Sequence, residues 1–152
     1  MKPKLKVYLD TSVVSALFDE RNPERKSLTE SFFEEIEIFE VYISNYTILE
    51  IEKTPDETIK EKMKDKILQY SVISTSKEVE ELANEIIQSG AINKAYMEDA
   101  YHISIAILND MDFLLSWNFR HIVRKKTKDI IRMITTLSNL RQIEILTPAE
   151  LL

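Results

Sequence analysis

Leu5-Lys6-Val7-Tyr8-Leu9-Asp10-Thr11-Ser12 is the stretch that decides the fold. The run over 5–9, with Val7 and Tyr8, reads as a β-strand. It stops on three residues whose side-chain oxygens accept from the unpaired N–H groups at a helix start. The spacing therefore predicts a strand over 5–9 and a helix over about 13–18. The alternation recurs outward from there. Leu28, Phe32 and Ile36 repeat every four residues, with Phe33 alongside, which predicts a helix over 24–37. Val41, Tyr42 and Ile43 mark a strand over 39–44, after which Asn45 is placed to cap a helix carrying Ile48, Leu49 and Ile51. A charged helix is expected over 56–70, a strand over 71–75, and a helix over 77–89 that stops at Gly90. The long helix over 95–109 turns Ala100, Ile103, Ala106 and Ile107 inward. A nearly all-apolar strand over 113–116, a helix over 127–140 and a strand over 142–146 complete the chain. Strands alternating with helices imply an α/β domain, a parallel sheet covered on both faces. Ligands of such sheets bind beyond the carboxyl ends of the strands, where the strand order reverses.

The composition narrows the functions open to such a domain. A chain of 152 residues suits a single domain with one real core, and no linker, repeat or low-complexity tract divides it. Cysteine is absent, which excludes disulfides, zinc-thiolate sites and a cysteine nucleophile, and suits a reducing cytoplasm. No apolar run approaches the roughly 18 residues of a membrane span, and no signal peptide is expected at the N-terminus. A single glycine, Gly90, rules out a glycine-rich phosphate loop. Twenty basic residues against 26 acidic ones leave a net charge of −6, which argues against tight, non-specific DNA binding. An enzyme that meets phosphate through bound cations remains compatible with that balance.

Four oxygen-bearing side chains map to one edge of the expected sheet. Asp10 follows the first strand, Glu50 lies in the helix after the second, Asp99 lies near the start of the long helix, and Asn118 sits just past the fourth strand. Taken singly, each has an ordinary reading: a helix cap for Asp10, a solvated acid for Glu50, a turn residue for Asn118. Asp99 is harder to dismiss, because it shares the apolar face of its helix with Ile103 and Ala106, where a carboxylate needs a cation or several donors. Together the acids supply the hard oxygen ligands that Mg²⁺ or Mn²⁺ takes. Such a site serves hydrolysis of a phosphodiester.

The motifs resemble those of the PIN-domain family. Val7 to Ser12 is similar to the family's opening motif, Ile43-Ser44-Asn45 through Leu49-Glu50-Ile51 to its second, and Glu98 to Ala106 to its third. Asp112 to Asn118 resembles its fourth, and Ile143 to Pro148 a frequent ending. The match runs in order over nearly the whole chain, so 1–152 reads as one PIN domain. The resemblance implies a Rossmann-like fold with a five-stranded sheet of order 3-2-1-4-5. It further implies Mg²⁺- or Mn²⁺-dependent ribonuclease activity, with Asp10, Glu50 and Asp99 as metal-binding acids. The group closest in pattern is the VapC-like toxins of type II toxin–antitoxin pairs. This implies an RNA substrate, a small antitoxin partner and a homodimer. One departure stands out: Asn118 occupies a place where the fourth motif often ends in aspartate. An amide oxygen accepts a hydrogen bond but brings no charge, so one well-bound metal and a weak or absent second are expected.

Around the acids, Thr11, Ser12 and Ser116 are candidate supports for Asp10 or the metal. Arg120, Arg124, Lys125 and Lys126 follow Asn118 and are candidates for contact with an RNA backbone, or else an ordinary solvated helix start. Trp117 and Phe119 are placed to stack a base or to pack into the core. His102, three residues after Asp99, is expected to make at most an orienting hydrogen bond, and Asp112 and Asp110 are structural bystanders. Phe32, Phe33, Phe39 and Tyr42 are candidates for lining a groove that receives an antitoxin's amphipathic tail. Two other readings compete. A PIN fold weakened by Asn118 would only bind RNA or protein, and a phosphatase with Asp10 as nucleophile would want an aspartate where Ser12 stands.

Overall fold

The computed structural model describes residues 3–151; Met1, Lys2 and Leu152 lie outside the described residues. The strands are β1 (Leu5–Leu9), β2 (Phe39–Ser44), β3 (Ser71–Ile73), β4 (Phe113–Leu115) and β5 (Glu144–Leu146). They form one parallel sheet of order β3-β2-β1-β4-β5. The order expected from the resemblance is the order observed.

Successive side chains of a strand point to opposite faces, and this sends alternate residues of β1 to opposite layers. Val7 and Leu9 join one core with Ile43 and Leu115, while Tyr8 joins the other with Leu114 and Ile145. The register matches, since Val7 pairs with Val41 and Phe113, and Tyr8 with Tyr42 and Leu114. Helices α1 (Thr11–Ala16), α2 (Pro23–Glu34), α3 (Asn45–Glu52) and α4 (Glu57–Ile67) supply side chains to the first core. Helices α5 (Lys77–Gln88), α6 (Met97–Leu108) and α7 (Lys125–Leu137) supply the second. Val7, Tyr8 and Leu9 are fully buried, each such side chain contributing about 1.5–3 kcal/mol of burial. The central strand therefore has little freedom to shift the acid that follows it.

Several element ends differ from the sequence reading, each for a local reason. Ser44, not Asn45, caps α3: its Oγ accepts from the N–H of Tyr46 (3.2 Å), and Thr47 Oγ1 accepts in return from the N–H of Ser44 (3.3 Å). Asn45 instead accepts from the N–H of Thr75 at 3.0 Å and pins the segment after β3. α1 starts at Thr11 because Asp10 is its cap, accepting from Val13. α2 ends at Glu34, and a 3-10 turn at Ile36–Ile38 carries the chain into β2. α7 stops at Leu137, ahead of Asn139, whose φ of 54° leaves the helical region. At the far end of α5, Gly90 takes φ 86° as the C-terminal residue the sequence called for.

Phe32 and Phe33 are 1% and 8% exposed. They belong to the core and do not line an open groove. An apolar groove does exist, between α1, the loop after it and the start of α4, lined by Ser15, Phe18, Pro55, Ile59 and Met63, with a volume near 460 Å³.

Candidate active site

β1 and β4 lie side by side, and their following connections leave in opposite directions, so a crevice opens between them. Asp10 sits at its mouth. Its N–H donates to the carbonyl of Leu115 across the crevice at 3.2 Å. The side chain is 4% exposed. Ser12 Oγ donates to Oδ1 at 2.5 Å, Ser116 Oγ donates to Oδ2, and the N–H of Val13 reaches Oδ1 at 3.3 Å. The two serines are themselves fixed from below: Trp117 N–H donates to Ser12 Oγ (2.8 Å) and Asn118 N–H to Ser116 Oγ (2.9 Å). No lysine or arginine pairs with Asp10 among the described residues. Burial pushes its carboxyl up, and the nearby His102 and the hydrogen bonds from Ser116 and Ser12 only partly offset this.

Glu50 and Asp99 each face a histidine. Glu50, in the second turn of α3, bonds to His102 Nε2. The other ring nitrogen of His102 lies 2.5 Å from the Tyr8 hydroxyl, which lies 2.7 Å from Ser44 Oγ. A buried chain of hydrogen bonds thus runs from the cap of α3 through β1 and α6 to Glu50. Asp99 is the third residue of α6, where the positive end of the helix favours a carboxylate, and its Oδ2 lies 2.9 Å from His121 Nδ1. Burial raises the Asp99 carboxyl against the charge of His121 and His102. Burial works against charge on His102 too, but Glu50, Asp10 and Asp99 together outweigh it and raise its pKa. Asp10 and Asp99 both feel the charge of Glu50 and of His102. The three acids therefore share one electrostatic neighbourhood.

They do not stand as a ready cage: among the described residues no three of the Asp, Glu and His side chains are arranged to hold a metal ion. The donor chemistry nevertheless fits a hard divalent cation, because the acids offer carboxylate oxygens and Asp10 is buried with no lysine or arginine partner among the described residues. Glu50 and Asp99 instead pair with the imidazoles of His102 and His121.

Other candidates fall into place around this centre. Asn118 Oδ1 accepts from the N–H groups of Arg120 (3.1 Å) and His121 (2.9 Å), so its oxygen holds the turn that presents His121 to Asp99. Thr11 Oγ1 is buried without a hydrogen-bond partner and belongs to the wall of the apolar groove. Trp117 packs in the core and donates to Thr29 Oγ1 at 2.9 Å, whereas Phe119 is half exposed beneath the guanidinium of Arg25. Asp112 lies at the opposite edge, bound to the N–H of Lys6 and to Arg141. Arg120, Arg124 and Lys126 line a cleft with His121, while Lys125 pairs with Asp129 outside it. The two histidines are the residues sequence reasoning undervalued. A signal existed for His102, since a histidine among inward-facing residues of a core helix needs partners at both ring nitrogens.

Fold and site together define a Rossmann-like α/β domain with an acidic pole where β1 and β4 part. A family model described as PIN domain matches residues 7–127, and the chain belongs to the PIN domain family. At family level that places it with the PIN-domain nucleases. No curated protein matches the sequence significantly. Among solved structures, the chain is similar to VapC20 of Mycobacterium tuberculosis, described as a sarcin–ricin loop cleaving toxin. The identity is 15%, with 76% of this chain and 92% of that one covered, at a TM-score of 0.60. It is also similar to VapBC2 from Rickettsia felis, solved on a DNA fragment from its promoter. There the identity is 13%, the coverage 93% and 97%, and the TM-score 0.57. Likeness at these identities is a likeness of fold. Among the described residues no helix is long and apolar enough to cross a membrane.

Proposed function

We propose that the chain is a Mg²⁺- or Mn²⁺-dependent endoribonuclease and the toxin of a toxin–antitoxin pair, acting in the cytoplasm. The observation that carries the reading is Asp10: a residue 4% exposed, its carboxylate locked by Ser12 and Ser116, with no lysine or arginine partner among the described residues, in the field of Glu50. Asp10, Glu50 and Asp99 would hold the ion. When bound, it supplies positive charge for the phosphodiester and for a hydrolytic water.

The remaining work belongs to the protein's own groups. Ser12 and Ser116 orient Asp10, the Ser44–Tyr8–His102 chain orients Glu50, and His121 orients Asp99. Supports of this kind are worth about 10–100-fold in metal affinity. With the oxygen of Asn118 engaged by its turn, three acids remain, which suits one ion better than two. The apolar groove beside α1 and α4 suits the amphipathic segment of an antitoxin. A homodimer would draw on the surface where Leu68 and Val72 stand exposed.

Two measurements test the reading. Purified protein is expected to cleave structured RNA with Mn²⁺, and calorimetry to show one Mn²⁺ site; Asp10→Asn and Asp99→Asn each lose both. Cleavage retained by the double variant would refute the assignment. The engaged oxygen of Asn118 also favours a second reading, a PIN fold that binds RNA without efficient cleavage. Asn118→Asp separates the two: activity appearing only in that variant means the parent is a binding module.

A further inference from the structure

We infer that the cleft beside Asp99 is a subsite for the phosphates of an unpaired RNA strand, with Tyr96 offering its ring to a base; this deepens the ribonuclease reading and rests on it. The cleft, near 610 Å³, lies between the α5–α6 connection and the start of α7. Lys94, Arg120, Arg124 and Lys126 line it, and among the described residues no aspartate or glutamate does. That is a local reversal in a chain with a net charge of −6. Elsewhere several surface cations are neutralised in pairs: Lys26, Lys53, Lys60, Lys64, Lys77 and Lys125 each have a carboxylate partner. Among the described residues none of the four cleft cations has one.

The four differ in how they are held. Arg124 donates to Thr127 Oγ1 (2.9 Å) and to the carbonyl of Ala91, which fixes it as a wall of the cleft. Lys94, Arg120 and Lys126 are exposed. The first turn of α7 carries no acid, so its peptide dipoles add to the positive field. A strand of phosphates is the ligand that matches several spaced cations without an intervening acid.

Tyr96 links this cleft to the acids. Its ring lies 4.0 Å from that of His121, and His121 holds Asp99. Tyr96 is 47% exposed, which leaves ring surface for a partner. Cations that follow a backbone, with an aromatic face beside them, are the elements that hold single strands. A base reaches such a face only when it is out of a helical stack. The strand entering the cleft is therefore unpaired next to the bond that the acids address.

The test is RNA binding as a function of salt in an Asp10→Asn background, which blocks cleavage. The probe is a fluorescein-labelled unpaired RNA of roughly 12 nucleotides, followed by anisotropy. Each phosphate contact on a single strand contributes about 0.7 to the log–log salt slope. The triple variant Lys94→Gln, Arg120→Gln, Lys126→Gln is thus expected to flatten the slope by about 2. Each single variant should flatten it by roughly 0.7, which guards against misfolding of the triple. Tyr96→Leu should weaken binding roughly 5- to 150-fold with the slope unchanged, the worth of one stacked base. Lys62→Gln, on α4 across the sheet, should change nothing. An unaltered slope in the single variants, or an equal change in Lys62→Gln, overturns the subsite even if the wild type cleaves RNA. Loss of the ribonuclease reading would show separately, as wild-type protein inert toward RNA with Mn²⁺.

Discussion

Ser116→Ala removes one hydroxyl at the centre of the site, and its cost can be worked from the bonds it breaks. Ser116 is fully buried. Its Oγ donates to Asp10 Oδ2 and accepts from the N–H of Asn118 at 2.9 Å. A hydrogen bond to a charged group is worth roughly 1.5–3 kcal/mol, and a stranded N–H costs about 1 kcal/mol when partly buried. The methyl group that remains fills nearly the same space, so no cavity cost adds to these. The sum is about 3 kcal/mol, which in a chain of this size lowers Tm by roughly 6–12 °C. The pH dependence has a definite sign. Burial holds the folded Asp10 pKa above its ordinary value, and Ser116 is one of the groups restraining that rise. Deleting Ser116 pushes it higher, so the loss is complete above the folded pKa. It shrinks as pH falls toward the ordinary carboxylate value of about 4. Only the part owed to the Asn118 N–H survives there. Urea unfolding of metal-free wild type and variant from pH 4 to 8 measures both quantities. A loss under about 1 kcal/mol at pH 8, or one that grows toward acid, would refute the account of how Asp10 is held.

Three further outcomes are expected. His102→Gln breaks the chain from Ser44 to Glu50 and should weaken Mn²⁺ binding by roughly 10–100-fold; calorimetry showing unchanged affinity would mean that Glu50 needs no support. Asp112 provides the opposite pH slope to Asp10, because burial raises its carboxyl but the Lys6 N–H and Arg141 outweigh this and hold it low. Asp112→Asn should cost about 1 kcal/mol at neutral pH. That loss fades as pH falls through the depressed folded pKa, and a constant loss across the acid range would argue against the ion pair. Gly90→Ala meets nothing within 4 Å, so its cost is backbone strain alone, about 1–2 kcal/mol by thermal unfolding; a neutral result would show that the turn relaxes.

Much of the fold was legible because each element carries its own local signal. The run over 5–9 that stops on Asp10, Thr11 and Ser12, the fourfold spacing of Leu28 and Phe32, and Gly90 at a helix end act over a few residues, and the strands and helices appear close to where those signals place them. Ends were less legible, since a cap such as Ser44 wins over Asn45 only by geometry that both residues offer in sequence. The family motifs brought Asp10, Glu50 and Asp99 to one neighbourhood, yet said nothing of what each carboxylate would face.

That last step belongs to tertiary structure. Residue order determined an α/β chain with acids after its strands, because hydrophobic period and helix caps are properties of neighbours along the backbone. Only the packed sheet decided that His102 reaches Glu50 across 52 positions, that His121 reaches Asp99 across 22, and that four cations gather in an acid-free cleft. Those pairings are set by which helix lies against which. No local pattern of charge or hydropathy encodes the distance between side chains so far apart in the chain.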